Sequence, residues 1–190
     1  MSIWIDNRHP QLRAGQARLA RHLNEMLQAL GHAGAWVDVS LVTDAEIKRL
    51  NRRYRQVNKV TDVLSFALSE APGPQLPVEI LGDIVISLDT AARQALAVRY
   101  QFAQVPEAKG YRITEEVLFL ATHGLLHLLG HDHLEPAQAE AMEALERQFL
   151  AAITPLDVQA LDRTEHSRIT GRGTRAARGS AAARKSAAPP

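Results

Sequence analysis

ATHGLLHLLGHDH, residues 121–133, reads as the end of a buried helix and the turn that leaves it. Val117, Leu118, Leu120, Leu125, Leu126, Leu128 and Leu129 make the segment apolar on nearly every side. His123 and His127 stand four apart, one above the other on a single helix face, so two imidazoles can reach one ion. Gly130 accepts the left-handed conformation that ends many helices and lets the chain turn His133 back toward the other two rings. Two histidines at this spacing are often only two histidines. In an apolar helix, however, unpartnered ring nitrogens are costly, and two on one face ask for a shared partner. Three neutral imidazoles with no fourth protein ligand describe an open, catalytic zinc site, with the last position left for water.

Outward from this helix the chain alternates between the two periodicities. Residues 2–6 read as a short strand, and about 11–30 as a helix with Leu12, Leu19, Leu23, Met26, Leu27 and Leu30 in phase. Residues 36–42 read as a strand, then Thr43-Asp44-Ala45-Glu46 forms a capping box that opens a helix to about Tyr54. Residues 63–66 and 80–86 are two further strands, separated by a stretch with Pro72, Pro74 and Pro77 that suggests an antiparallel connection. Ser87 caps a helix to about Phe102, Thr114 with Glu115 and Glu116 opens the histidine helix, and Pro136 starts a last helix carrying Met142, Leu145, Phe149 and Leu150. The order βαβαββααα predicts an α+β fold: a small mixed four-stranded sheet packed with about five helices, the histidine helix being zincin-like. Two crossover units are expected at the start and an antiparallel strand later.

The 190 residues are enough for one domain with a sizeable core. No cysteine occurs, which excludes disulfides and thiolate metal ligands and is compatible with a reducing cytoplasm. Asp6 and Arg8 interrupt any apolar run at the start, and residues 117–129 are too few to span a bilayer, so a soluble cytoplasmic protein without membrane contact is expected. The net charge of +1 is uneven. From Thr164 onward Arg168, Arg172, Arg175, Arg178, Arg184 and Lys185 face the single acid Glu165, so this stretch carries +5 and the rest −4. Its Ala, Gly, Ser and Arg content cannot repay the entropy of folding. The expected organisation is therefore a domain over residues 1–153 and a disordered, basic, low-complexity tail over 154–190.

The histidine spacing equals that of metzincin proteases, with one substitution. Those enzymes carry glutamate directly after the first histidine as the general base, whereas this chain has Gly124. Without a carboxylate to take and return the proton, proteolysis is disfavoured. Asp132 leaves two readings open, an acceptor for an imidazole N–H or a turn residue.

At this point HGLLHLLGHDH resembles the signature of the YbeY endoribonucleases, zinc-dependent bacterial enzymes implicated in ribosomal RNA maturation. The resemblance extends to Leu50-Asn51, Tyr54-Arg55, Thr61 to Phe66, Leu81 to Ile86 and Met142 to Glu146, in the right order, and so covers about residues 1–153. It departs at His131 where tyrosine is usual, at Asn58 where aspartate is common, and at Val60 and Ala67 where prolines usually flank the strand. His131 follows the glycine helix end and is left out of the ligand set. Carried over position by position, the resemblance implies His123, His127 and His133 as ligands of one Zn2+ per chain and Arg55 as the catalytically implicated arginine. It also implies a single-strand-specific endoribonuclease acting in maturation of the 3′ end of 16S ribosomal RNA and in ribosome quality control. Implied partners are ribosomal RNA and, beyond it, small-subunit ribosomal proteins or an assembly GTPase.

The residues are compatible with that chemistry. An ion held by neutral imidazoles keeps its full charge for an anionic phosphodiester and lowers the pKa of water to about 7. Arg55 could fork onto phosphoryl oxygens as charge builds. Lys48, Arg49, Arg52, Arg53, Arg55 and Lys59 form a basic run, ordinarily just the solvated end of a helix, of which Arg49, Arg52, Arg53 and Lys59 become candidate RNA contacts beside the site. Two alternatives remain open at this stage: a metallohydrolase of another substrate class, peptidase-like or a small-molecule amidohydrolase, and a ribosome-associated factor whose zinc is structural.

Overall fold

A computed structural model describes residues 2–68, 78–133 and 135–156. The segment with Pro72, Pro74 and Pro77 and nearly all of the basic tail lie outside these residues. Strands β1 (Ile3–Asn7), β2 (Trp36–Val42), β3 (Val63–Ala67) and β4 (Ile80–Ser87) form one sheet in the order β1-β2-β4-β3. Helices α1 (Gln16–Ala29), α2 (Asp44–Arg55), α3 (Leu88–Gln101) and α4 (Ile113–Leu128) pack on it and α5 (Pro136–Leu150) packs against α4, with a 3-10 turn at Pro106–Gly110 that the periodicity did not signal. The mixed four-stranded sheet with five helices is the architecture expected.

The strand order refines that expectation. β1, β2 and β4 are parallel, and β3 runs antiparallel to β4 at the edge. Only the first crossover joins consecutive strands, because β2 takes β4 as its parallel neighbour rather than β3. Both central strands are apolar on the face that α1, α3 and α4 cover: Val37, Val39, Leu41, Ile84 and Ile86 are buried there. Trp36 belongs to the opposite phase and is partly exposed. On that opposite face α2 seals one half with a smaller cluster of Val42, Ile47, Leu64 and Val85. The edge pairing of β3 to β4 requires a glycine at residue 82, at φ +139, where a Cβ would stand 2.0 Å from the Phe66 carbonyl oxygen.

Two helix starts differ from expectation for local reasons. α1 begins at Gln16 rather than near Gln11, because His9 Nδ1 accepts from the backbone N–H of Gln11 and Leu12 and Arg13 donates to the carbonyls of His9 and Leu12, which closes a separate turn. α4 begins at Ile113: Glu115 accepts from the Arg112 N–H, and the Thr114 hydroxyl accepts from Gly15 instead of capping. The Thr43 and Ser87 caps form as read, each side chain accepting from the N–H three residues on, but the box at Thr43 is not completed: the Glu46 carboxylate accepts from Arg8 instead.

Candidate metal centre

α4 is buried almost all round, from Glu116 to Leu126, and lies against β3, β4, α1, α3 and α5. Two of its faces do different things. On the sheet side Gly124 packs so closely that a Cβ would meet Ile84 Cγ2 at 2.9 Å and Ser65 Oγ at 3.0 Å. The position where a metzincin carries its catalytic glutamate therefore faces the sheet, with room for no side chain. On an adjacent face His123 and His127 present their rings.

α4 ends as the glycine implied: Gly130 has φ +88, and the His131 N–H returns to the Leu126 carbonyl. The turn brings His133 against the first two histidines. Ring centroids are 4.6 Å apart for His123 and His127, 5.1 Å for His123 and His133, and 5.2 Å for His127 and His133. One ligand atom from each of the three lies within 4.8 Å of the others. His123 Nε2 and His127 Nε2 are 3.1 Å apart. Two nitrogens about 2.0–2.1 Å from one tetrahedral zinc ion span roughly 3.3 Å, so the pair has a suitable bite. Three imidazoles converging without thiolate or further carboxylate suit zinc or another imidazole-compatible ion.

Burial keeps the His127 and His133 rings neutral, which ligation requires. Burial first, then the neighbouring His123 and His133, lowers the His127 pKa to about 4. Burial, then His123, lowers that of His133. The imidazole acceptor that sequence reasoning looked for at Asp132 is Glu146. His123 Nδ1 stands 2.7 Å from Glu146 Oε1, both side chains being 7% exposed. Asp132 instead accepts from the backbone N–H of His133 and shapes the turn. The His127 ring has a backbone partner at His131, whose own ring is outside the ligand group. Glu146 left a signal in the sequence that went unread: it interrupts the buried stripe Met142, Glu146, Leu150 of α5 with an acid.

The basic residues are placed less coherently. Arg55, the last residue of α2, is half-buried and donates from Nη2 to the Ser65 carbonyl at 2.9 Å. Ser65 Oγ in turn donates to the Gly124 carbonyl at 3.2 Å, so two hydrogen bonds through β3 link Arg55 to the histidine helix. Arg49, Arg52, Arg53 and Lys59 are exposed and form no ion pair among the described residues; Arg53 lies over the Tyr54 ring at 5.5 Å. Among the described residues, no helix is long and apolar enough to cross a membrane.

The chain is similar to known proteins over most of its length. The family model described as Endoribonuclease YbeY matches residues 5–154. The chain is 41% identical over 152 residues to Endoribonuclease YbeY of Anaeromyxobacter dehalogenans, covering 80% of this chain and 72% of that one. It is 43% identical over 165 residues to Endoribonuclease YbeY of Moorella thermoacetica, covering 80% and 97%. The solution structure of TM1509 from Thermotoga maritima superposes with a TM-score of 0.52 at 23% identity, covering 80% of this chain and 88% of that one, a likeness of fold.

Proposed function

The chain belongs to the endoribonuclease YbeY family, and from that premise we propose a zinc-dependent endoribonuclease that cleaves single-stranded RNA, with the 3′ end of 16S ribosomal RNA as its substrate. His123, His127 and His133 hold one zinc ion, which when bound supplies a Lewis acid for the phosphodiester and water activated near neutral pH. The observation that carries the reading is the convergence of three buried or half-buried imidazoles beside a position, Gly124, that cannot hold a peptidase's glutamate.

The protein groups divide the work. His127 and His133 stay neutral through burial, so their lone pairs are available at physiological pH. Arg55, anchored by one nitrogen to Ser65, keeps further N–H groups to fork onto non-bridging phosphate oxygens, where charge grows in the transition state. Arg49, Arg52, Arg53 and Lys59 track the RNA backbone without reading bases. Residues 1–153 form the catalytic domain, and 154–190 add a basic extension that raises non-specific RNA affinity. The setting is the cytoplasm, in ribosome maturation and quality control, with small-subunit proteins or an assembly GTPase supplying the specificity that this aromatic-poor chain lacks.

The test uses the full chain, zinc-loaded, on matched single-stranded and duplex RNA and on unstructured peptides. Cleavage of the single-stranded RNA, abolished by EDTA and absent from His123→Ala, is expected. Peptide hydrolysis, or RNA cleavage that persists in His123→Ala, would overturn the reading.

A further inference from the structure

An acid sits where the packing of α5 calls for an apolar residue. Met142, Glu146 and Leu150, at successive i, i+4 steps, form the buried stripe of α5, and the two flanking members join the main core. Glu146 is 5% exposed. Burying a carboxylate is costly unless its oxygens are engaged, so its retention inside this stripe calls for a specific task.

Its partner identifies the task. Glu146 Oε1 meets His123 at Nδ1, at 2.7 Å, and the opposite atom of the same ring, Nε2, faces His127 Nε2 at 3.1 Å. An ionised carboxylate accepts only, so an ionised Glu146 requires the proton on Nδ1. The lone pair of a neutral ring is then on Nε2, on the side where the three histidines converge. We infer that Glu146 is the positioning residue of the metal centre, holding His123 in the Nδ1–H tautomer and aiming its Nε2 lone pair at the ion. The carboxylate also adds a negative charge one ring away from a site otherwise built of neutral ligands, which strengthens the hold on a divalent cation.

This inference rests on the zinc reading of His123, His127 and His133. A purely structural role for Glu146 would show in folding and leave metal affinity alone. The experiment is zinc titration of the metal-free full chain against a competing chelator, in wild type and Glu146→Gln, with the thermal melting of both metal-free forms measured alongside. The chain has no cysteine to bind zinc in competition. Glutamine keeps the shape and one acceptor but removes the charge. Zinc affinity is expected to fall about 10- to 100-fold while the metal-free melting temperature changes by only a few degrees. Equal zinc affinity in the two proteins would overturn the inference and leave the zinc reading standing, whereas a wild type that binds no zinc would overturn both.

Should Glu146→Gln fail to fold, histidine-selective 15N spectra of the zinc-loaded wild type decide the matter. His123 is expected to show its N–H at Nδ1 and zinc on Nε2. Zinc on Nδ1 would overturn the inference.

Discussion

α2 and α4 both contribute candidate site residues, yet α4 is enclosed by the rest of the fold and α2 lies largely in water. α4 is buried on nearly all sides, so each polar atom it carries must find a partner, and its two histidines find each other, His133 and Glu146. α2 buries Ile47 and Asn51 and leaves its cations in water, where nothing compels them to converge. Arg49, Arg52 and Arg53 are exposed, whereas Arg55, tied to β3, is half-buried. The spacing of polar groups is informative where burial makes unpaired groups expensive. It says little on a solvated face.

The sharpest way to break this contrast is to restore the metzincin residue. Gly124→Glu must push a carboxylate into a gap where even a Cβ is 2.9 Å from Ile84 and 3.0 Å from Ser65. Overpacking of this kind costs about 1–3 kcal/mol, and burial of the unpaired acid adds several more. Urea denaturation is expected to find most of the stability lost and no peptidase gained; a stable variant that hydrolyses peptides would show that this side of α4 is open to the metal.

On α2, Arg55→Ala is expected to lower kcat/KM for RNA about 100-fold, roughly 2.7 kcal/mol of transition-state stabilisation, at unchanged zinc content. An unchanged rate would return Arg55 to the class of its solvated neighbours.

Acid titration addresses the buried rings again. Burial, then the charge of Arg18, lowers the His22 pKa to about 4, and His127 reaches about 4 mainly through burial. The Thr122 hydroxyl donates to the Leu118 carbonyl, so it accepts from His22 Nε2–H at 2.8 Å and fixes a neutral ring. Both groups have folded values below their unfolded value near 6.5, so the unfolded chain binds more protons between about 6.5 and about 4. Stability of the metal-free protein should therefore fall as pH falls through that window, by about 1.4 kcal/mol per pH unit for each ring. Urea midpoints that stay flat between pH 7 and pH 5 would contradict this.

The smallest effect belongs to the exposed cations. Arg52→Ala and Arg53→Ala should each weaken RNA binding evenly across sequences and reduce the salt slope by about 1. A sequence-selective loss would mark them as base readers.

The same contrast explains what could be read beforehand. Caps at Thr43 and Ser87, the glycine end at Gly130 and the histidine spacing are local rules, and each formed as its residues implied. The insertion of β4 between β2 and β3 depends on pairing across the whole chain, which periodicity does not encode. Gly124 was read as a missing base, when its reason is the close approach of α4 to Ile84 and Ser65. The partner of Glu146 lies 23 residues away on another helix, beyond the reach of a local rule. Only the oddity of an acid in the stripe of Met142 and Leu150 pointed inward.

Elemental analysis of zinc-reconstituted protein together with RNA cleavage, for the wild type and His127→Ala, decides whether His123, His127 and His133 act as one catalytic metal site. The wild type should hold one zinc ion per chain and cleave RNA, and His127→Ala should lose both. A His127→Ala protein that keeps its zinc and its cleavage would rule out a metal site built on these three rings.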